Sequence, residues 1–185
     1  MTTTFALTFD YLCPFARNAN EFVVEGLRAG ADWDVRFTPY SLAQGHVEEG
    51  QPDVWDAQDP TSVSGIHALL VGLTIRDHFP DHFLDAHVAL FAARHDDGRD
   101  LKDADVLRDV ITSVGLDAEA VLDTVANGGV FETLHKEHES NVSAYDVWGV
   151  PTFIAGDRAV FVRLLDRPEG DGAGAVDRIQ RVVEL

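Results

Sequence analysis

A chain of 185 residues with 45% hydrophobic content is one ordinary domain, or one domain with a large insertion, and can bury a core without staples. Its net charge of −18, from 32 acidic and 14 basic residues, repels phosphate backbones and argues against a nucleic-acid partner. A single cysteine excludes an internal disulfide framework, and no segment reaches the ~18 apolar residues of a membrane span. The first residues, MTTTFALTFD, have no basic leader and no long apolar run, so the expectation is a soluble, cytoplasmic protein without a membrane partner.

Thr4–Phe9 alternates apolar and polar β-formers and reads as a strand. From Pro14 the period changes: Phe15, Ala19, Phe22, Val23 and Leu27 recur at helical spacing. Proline suits the first helical position, where its missing N–H has no intrahelical duty, and Gly30 closes the region. Trp33–Tyr40 reads as a second strand, and a helical crossover of this length predicts two parallel neighbours. Gln44–Pro60 is a polar connection. From Thr61 to about Tyr145 the pattern is helical throughout. Val63, Ile66, Leu70 and Leu73 mark one face, and Leu84, Val88 and Phe91 mark a helix after Pro80. Val106–Ile111 and Val121–Val125 mark two more, ended at Gly115 and at Asn127-Gly128-Gly129, before a polar fifth at Val130–Tyr145. Pro151–Ala155 and Ala159–Leu165 read as a hairpin around Gly156-Asp157-Arg158, and Ala175–Leu185 as a closing helix. The order is β-α-β, a helical block, then β-β-α. The strands on either side of the block need each other to complete a sheet, so the block reads as inserted.

Two short stretches carry chemistry. In FDYLCPFARNAN, Cys13 lies between a strand end and a helix start. Free N–H groups and the helix dipole there favour a thiolate, and Arg17, one turn on, is placed to add positive charge. Position alone leaves two readings, a reactive thiol and an inert buried cysteine. In WGVPTFI, Pro151 follows Val150 and precedes a strand. A cis peptide there would free the Val150 backbone to pair with an extended, thiol-bearing substrate; a trans proline would simply open an edge strand.

Taken together, D-Y-L-C-P-F-A, the central helical block and G-V-P-T-F followed by a hairpin and a closing helix resemble the thioredoxin superfamily. Within it the chain is similar to the DsbA-like proteins, with their FrnE-like and 2-hydroxychromene-2-carboxylate isomerase/kappa glutathione transferase relatives. The resemblance implies an α/β thioredoxin fold, residues 1–45 and 146–185, with an inserted helical domain at 61–145. It implies that Cys13 is the nucleophile, Pro151 the cis-proline, Val150 the backbone clamp, and Phe15 a variable dipeptide position. Pro14 starts the helix, and Asp10 and Tyr11 shape the loop, with Tyr11 counted among the substrate-contacting residues. The departure is Ala16, where dithiol members carry a resolving cysteine. A mixed disulfide on Cys13 then needs an outside thiol. The expectation is a single-cysteine thiol–disulfide oxidoreductase with no tightly bound cofactor. Its partner is a small thiol, glutathione or an equivalent, or a thiol-bearing protein. The alternatives are a kappa-type transferase or isomerase and a non-catalytic binding module.

His135 and His138 sit three apart beside Glu132 and Glu139, but solvated helix faces account for them and no metal site is expected. His138 is expected to line the groove near Cys13, because its helix leads towards Val150-Pro151. Tyr11, Phe15, Trp55, Trp148 and Phe153 are candidates to surround the site. No Gly-rich phosphate loop and no Gly-x-Ser-x-Gly elbow occurs.

Overall fold

The structure, a computed structural model, describes residues 2–185. Strand β1 (Thr3–Phe9) leads into helix α1 (Pro14–Arg28) and returns in β2 (Trp33–Pro39). The strands are parallel, in register from Thr3 opposite Trp33 to Phe9 opposite Pro39, as the crossover requires. A four-residue helix α2 (Leu42–Gly45) follows. Next come α3 (Ile66–His78), α4 (Pro80–His95), α5 (Ala104–Ser113), α6 (Ala118–Asn127) and α7 (Val130–Tyr145). The chain then re-enters the sheet as β3 (Thr152–Ala155) and β4 (Arg158–Phe161) and ends in α8 (Gly172–Val183). The sheet order is β2-β1-β3-β4, with β3 antiparallel to both β1 and β4. This is the thioredoxin arrangement, with a helical block between its two halves in sequence.

Helix α1 buries Ala16, Ala19, Phe22 and Val23 on one side and packs along α8 and against α4. The inserted helices share the core with the sheet, since α7 packs on β2 and one apolar cluster runs from Phe5 to Val182. Each large side chain fully buried in it, such as Phe9, Leu69 or Phe91, contributes roughly 1.5–3 kcal/mol of transfer free energy.

The structure differs from the sequence reading in three places. Helix α3 is buried all round from Leu69 to Ile75 rather than on one face, because α4, α6 and α7 all pack on it. The Gln44–Pro60 connection carries a helical turn at α2, capped by the Ser41 hydroxyl, which accepts the Gln44 N–H. Strand β4 ends at Phe161, four residues early. The Val162 N–H turns back to the Pro151 carbonyl, and the Leu164 carbonyl is held by the Asn18 amide on α1, so residues 162–165 leave the sheet.

Candidate functional site

Helix α1 starts where the sequence predicts. Cys13 is its N-cap, in an extended conformation, and Pro14 takes the first helical position. The Cys13 Sγ accepts the Ala16 N–H at 3.4 Å. Its own S–H donates to the Val150 carbonyl at 3.5 Å. The Val150-Pro151 peptide is cis. Thr152 fixes this segment on β1: its N–H donates to the Thr8 hydroxyl at 2.7 Å, and its own hydroxyl donates to the Gly149 carbonyl at 2.8 Å. Two stretches 137 residues apart thus meet at one sulfur.

The thiol's electrostatics correct the sequence expectation. Burial raises the Cys13 pKa above the ordinary value of a cysteine. The Ala16 and Phe15 N–H groups pull it down, the Asp10 charge pushes it up, and a guanidinium pulls it down again. That guanidinium belongs to Arg163, not Arg17. Arg17 is buried and turned away, donating to Glu21 and Asp96, which Arg167 also binds. Arg163 is exposed on the segment after β4, with its guanidinium carbon 5.3 Å from the ring centroids of both Phe15 and Phe161. Sequence reasoning missed it because it lies 150 positions from Cys13 and carries no local motif.

Asp10 is buried beneath the loop. Its two carboxylate oxygens accept the Leu12 N–H at 2.9 Å and the Leu42 N–H at 2.8 Å, so it ties the cysteine loop to the start of α2. Desolvation nevertheless raises its pKa from 3.8 to about 6, against the lowering effect of those two N–H groups. The loop-shaping role expected of Asp10 has a direct geometric basis.

Tyr11 departs from its expected place. Its side chain is fully buried, packed on Phe9 and Phe91, and its hydroxyl donates to His87 Nδ1 at 2.9 Å. Tyr11 lies in the turn just past β1, where its ring is enclosed by Phe9, His87 and Phe91. A side chain on Gly72 would meet the Tyr11 hydroxyl at 2.3 Å, so the close approach of the phenol to α3 requires glycine there. Tyr11 therefore supports the loop from inside and cannot contact a substrate at the surface.

His87 completes this inner network, and the sequence reading passed over it. Its Nε2 donates to Asn20 Oδ1 at 2.9 Å, and the Asn20 amide donates to the Ala16 carbonyl at 2.8 Å. These partners fix the neutral Nε2–H tautomer, and burial lowers the His87 pKa to about 3. The available signal was its place between Phe83 and Phe91, four residues away on either side, whose rings pack on it. His95 adds a further strut, its Nε2 donating to the Tyr11 carbonyl at 2.9 Å.

His138 also falls elsewhere. It is buried, its Nδ1 accepts the Ser41 N–H at 3.0 Å, and its ring packs on Tyr40, so it props the loop before α2 rather than lining the cysteine groove. Burial lowers its pKa to about 4. Of the other aromatics, Trp55 stacks on His135 and donates to Glu139, and Phe153 lies in the core. Trp148 is 66% exposed against Phe161, beside the Phe15–Arg163 surface. Val150 is almost wholly covered, contrary to the exposed clamp expected of it, and its carbonyl is engaged by the thiol. Among the described residues, no group of three or more His, Cys, Asp or Glu side chains is arranged to hold a metal. No helix among them is long and apolar enough to cross a membrane.

Comparison with known proteins agrees with this geometry. Among solved structures the chain is similar to a 2-hydroxychromene-2-carboxylate isomerase, with a TM-score of 0.69, 14% identity, and coverage of 98% of this chain and 96% of that one. It is similar to the cytosolic disulfide reductase DsbM from Pseudomonas aeruginosa with GSH, with a TM-score of 0.64, 16% identity, and coverage of 98% and 100%. Pseudomonas aeruginosa DsbA matches with a TM-score of 0.60, 20% identity, and coverage of 98% and 86%. A search of curated proteins gave no match. The family model described as the DSBA-like thioredoxin domain matches residues 6–170, and with the cysteine at the head of α1 facing the cis-proline segment, the chain belongs to that family.

Proposed function

We propose that this protein is a DsbA-like thiol–disulfide oxidoreductase that works through Cys13 alone. The carrying observation is the meeting of the Cys13 sulfur with the Val150 carbonyl ahead of cis-Pro151, while Ala16 stands fully buried at the position of a resolving thiol. In the reaction the Cys13 thiol loses its proton to solvent and its sulfur attacks one sulfur of a disulfide. The old S–S bond breaks, a Cys13 mixed disulfide forms, and the other half leaves as a thiolate with the electron pair. Return to the thiol needs attack by an outside thiol, since the chain has no second cysteine.

Pro14 and Phe15 form the helix-side wall of the groove, and Val150 and Pro151 form the opposite wall. Among the described residues the Val150 N–H has no partner, although the residue is almost wholly covered, so pairing with an extended substrate needs the segment to shift. The resting thiol is a weak nucleophile because burial and the S–H bond to Val150 favour its protonated form. Residues 1–45 and 146–185 act as the thioredoxin-like unit, and 61–145 as the inserted helical one. A cycle that needs outside thiols suits a reducing compartment, so the cytoplasm is the proposed site of action.

The single thiol also accords with a kappa-type transferase or isomerase that binds glutathione or an equivalent thiol in the same groove. Intact-mass analysis after incubation with a disulfide, followed by a small thiol, separates these readings. The oxidoreductase forms a Cys13 adduct that the second thiol removes. Binding of the small thiol without any adduct favours the transferase. Neither event leaves a non-catalytic binding module and sinks the proposal.

A further inference from the structure

In a chain with 32 acidic and 14 basic residues, most arginines are occupied by carboxylates. Arg17, Arg28, Arg36, Arg76, Arg99, Arg108, Arg167, Arg178 and Arg181 all make ion pairs. Arg94, Arg158 and Arg163 make no ion pair among the described residues, and of these three Arg163 is the one packed against the aromatic rings beside the start of α1. It is also the guanidinium whose field reaches Cys13.

Its position is held rather than incidental. Val162 before it donates its N–H to the Pro151 carbonyl at 3.2 Å. Leu164 after it is buried, and its carbonyl accepts the Asn18 amide at 2.8 Å. The backbone of Arg163 is therefore anchored to the cis-proline segment on one side and to α1 on the other. Its guanidinium lies by the rings of Phe15 and Phe161, and Phe161 is in turn backed by Trp148 at 4.5 Å. A guanidinium packed near aromatic rings rather than against a carboxylate keeps N–H groups free, and these match a carboxylate. The long-range field of the chain repels anions, so a cation whose charge reaches the sulfur favours the approach of an anion there.

We propose that Arg163 is the anion-recognising residue of this site, and that the small thiol exchanged at Cys13 carries a carboxylate. The proposal rests on the reading of Cys13 as a nucleophile that an outside thiol must resolve. The carboxylate seats on the Arg163 edge while the ligand's sulfur reaches Cys13 over the Phe15 ring. Exchange proceeds by the same balanced step: one S–S bond breaks as the Cys13–sulfur bond forms, and the disulfide that oxidises Cys13 is itself reduced to one thiolate.

The test uses three small disulfides of matched size: dithiodipropionate, bis(2-hydroxyethyl) disulfide and cystamine, which are anionic, neutral and cationic. Rates of Cys13 adduct formation are measured by quenched intact-mass analysis for the native chain, Arg163→Gln, Arg163→Lys and Lys102→Gln. The ratio of anionic to neutral rate cancels any general change in the reactivity of the sulfur. Arg163→Gln is expected to lower this ratio about five- to tenfold, the effect of losing one charge-assisted contact. Arg163→Lys recovers part of it, Lys102→Gln leaves it unchanged, and added salt narrows it in the native chain. An unchanged ratio in Arg163→Gln overturns the proposal. Recognition is read separately from chemistry by titrating Cys13→Ser with 3-(methylthio)propanoate and following the Arg163 Nε–H resonance. A shift of that resonance, with no adduct on native Cys13 by any probe, keeps anion recognition and removes the oxidoreductase reading. No shift removes the anion site whether or not Cys13 reacts.

Discussion

The inner and outer faces of the stretch Phe9–Asn20 are built to opposite rules. Inside, Tyr11, Ala16, Ala19 and Asn20 are sealed from solvent, and the polar atoms of Tyr11, His87 and Asn20 are paired within hydrogen-bond distance. Outside, Cys13 and Phe15 remain partly exposed beside Arg163 and Trp148. Two arginines at the stretch divide in the same way: Arg17 is engaged by Glu21 and Asp96, and Arg163, packed by Phe15, is left without a carboxylate. A satisfied network behind the loop fixes the sulfur, so the loop's front can carry an incompletely satisfied group without collapsing.

The sharpest way to break the outer face is Cys13→Ser. It should abolish adduct formation completely while the urea unfolding midpoint stays near that of the native chain; an adduct on the variant would place the chemistry elsewhere. Ala16→Cys sharpens the same face from the other side. A second thiol one turn on should release a Cys13 adduct roughly 100-fold faster or more, because resolution becomes intramolecular. Release that still depends linearly on added thiol would show that the buried position does not admit the resolving geometry.

The inner face breaks at His87. His87→Leu leaves the Tyr11 hydroxyl and the Asn20 carboxamide oxygen without their partner and should cost about 2–4 kcal/mol in urea unfolding. The pH dependence follows from the same site. The folded pKa of about 3 lies below the 6.5 of an ordinary histidine, so the unfolded chain binds a proton first as pH falls. The contribution is complete above pH 6.5 and is lost on the way down to about 3, on the order of 5 kcal/mol at 1.36 kcal/mol per unit. Asp10 has the opposite sign. Its pKa is raised from 3.8 to about 6, so its contribution is complete below 3.8 and is lost as pH rises through about 6. His138, lowered from 6.5 to about 4, has the same sign as His87 and offsets Asp10, so urea midpoints should fall towards acid, and His87→Gln should flatten the fall.

Smaller effects bear on how the two faces couple. Asp10→Asn removes a negative charge that pushes the Cys13 pKa up, so the sulfur should react about two- to fivefold faster at neutral pH, a fraction of a pKa unit's worth. In the native chain the exchange rate should keep climbing beyond the pH at which a free cysteine has ionised, because burial holds the thiol form. A plateau below neutrality would contradict the geometry. Trp148→Ala, at a largely exposed site, should change stability by no more than about 0.5 kcal/mol.

The order of elements was legible because each has a local cause: alternation in Thr4–Phe9, Pro14 at a helix start, Gly115 and Gly128-Gly129 at helix ends, and Gly156-Asp157 in a hairpin. Helix α2 was not legible. At four residues it has no periodicity, and it is held by the Ser41 hydroxyl and by a distant Asp10 carboxylate. The end of β4 was missed because its cause, the pull of Asn18 and Pro151 on residues 162–164, lies on other elements.

The candidate site divides along the same line. By itself the sequence determined that Cys13 would cap a helix, that it had no second cysteine to pair with, and that Val150-Pro151 would open a strand. Spacing, proline chemistry and a count of thiols decide those. Only the tertiary structure decided which cation the sulfur feels. Arg17 is four residues from Cys13, but the helix turns it onto Glu21 and Asp96. Arg163 is 150 residues away, but the sheet and the Asn18 contact bring it to the Phe15 ring, from where its charge reaches the sulfur. Electrostatic influence depends on distance through space and on what else claims the charge, and sequence separation specifies neither.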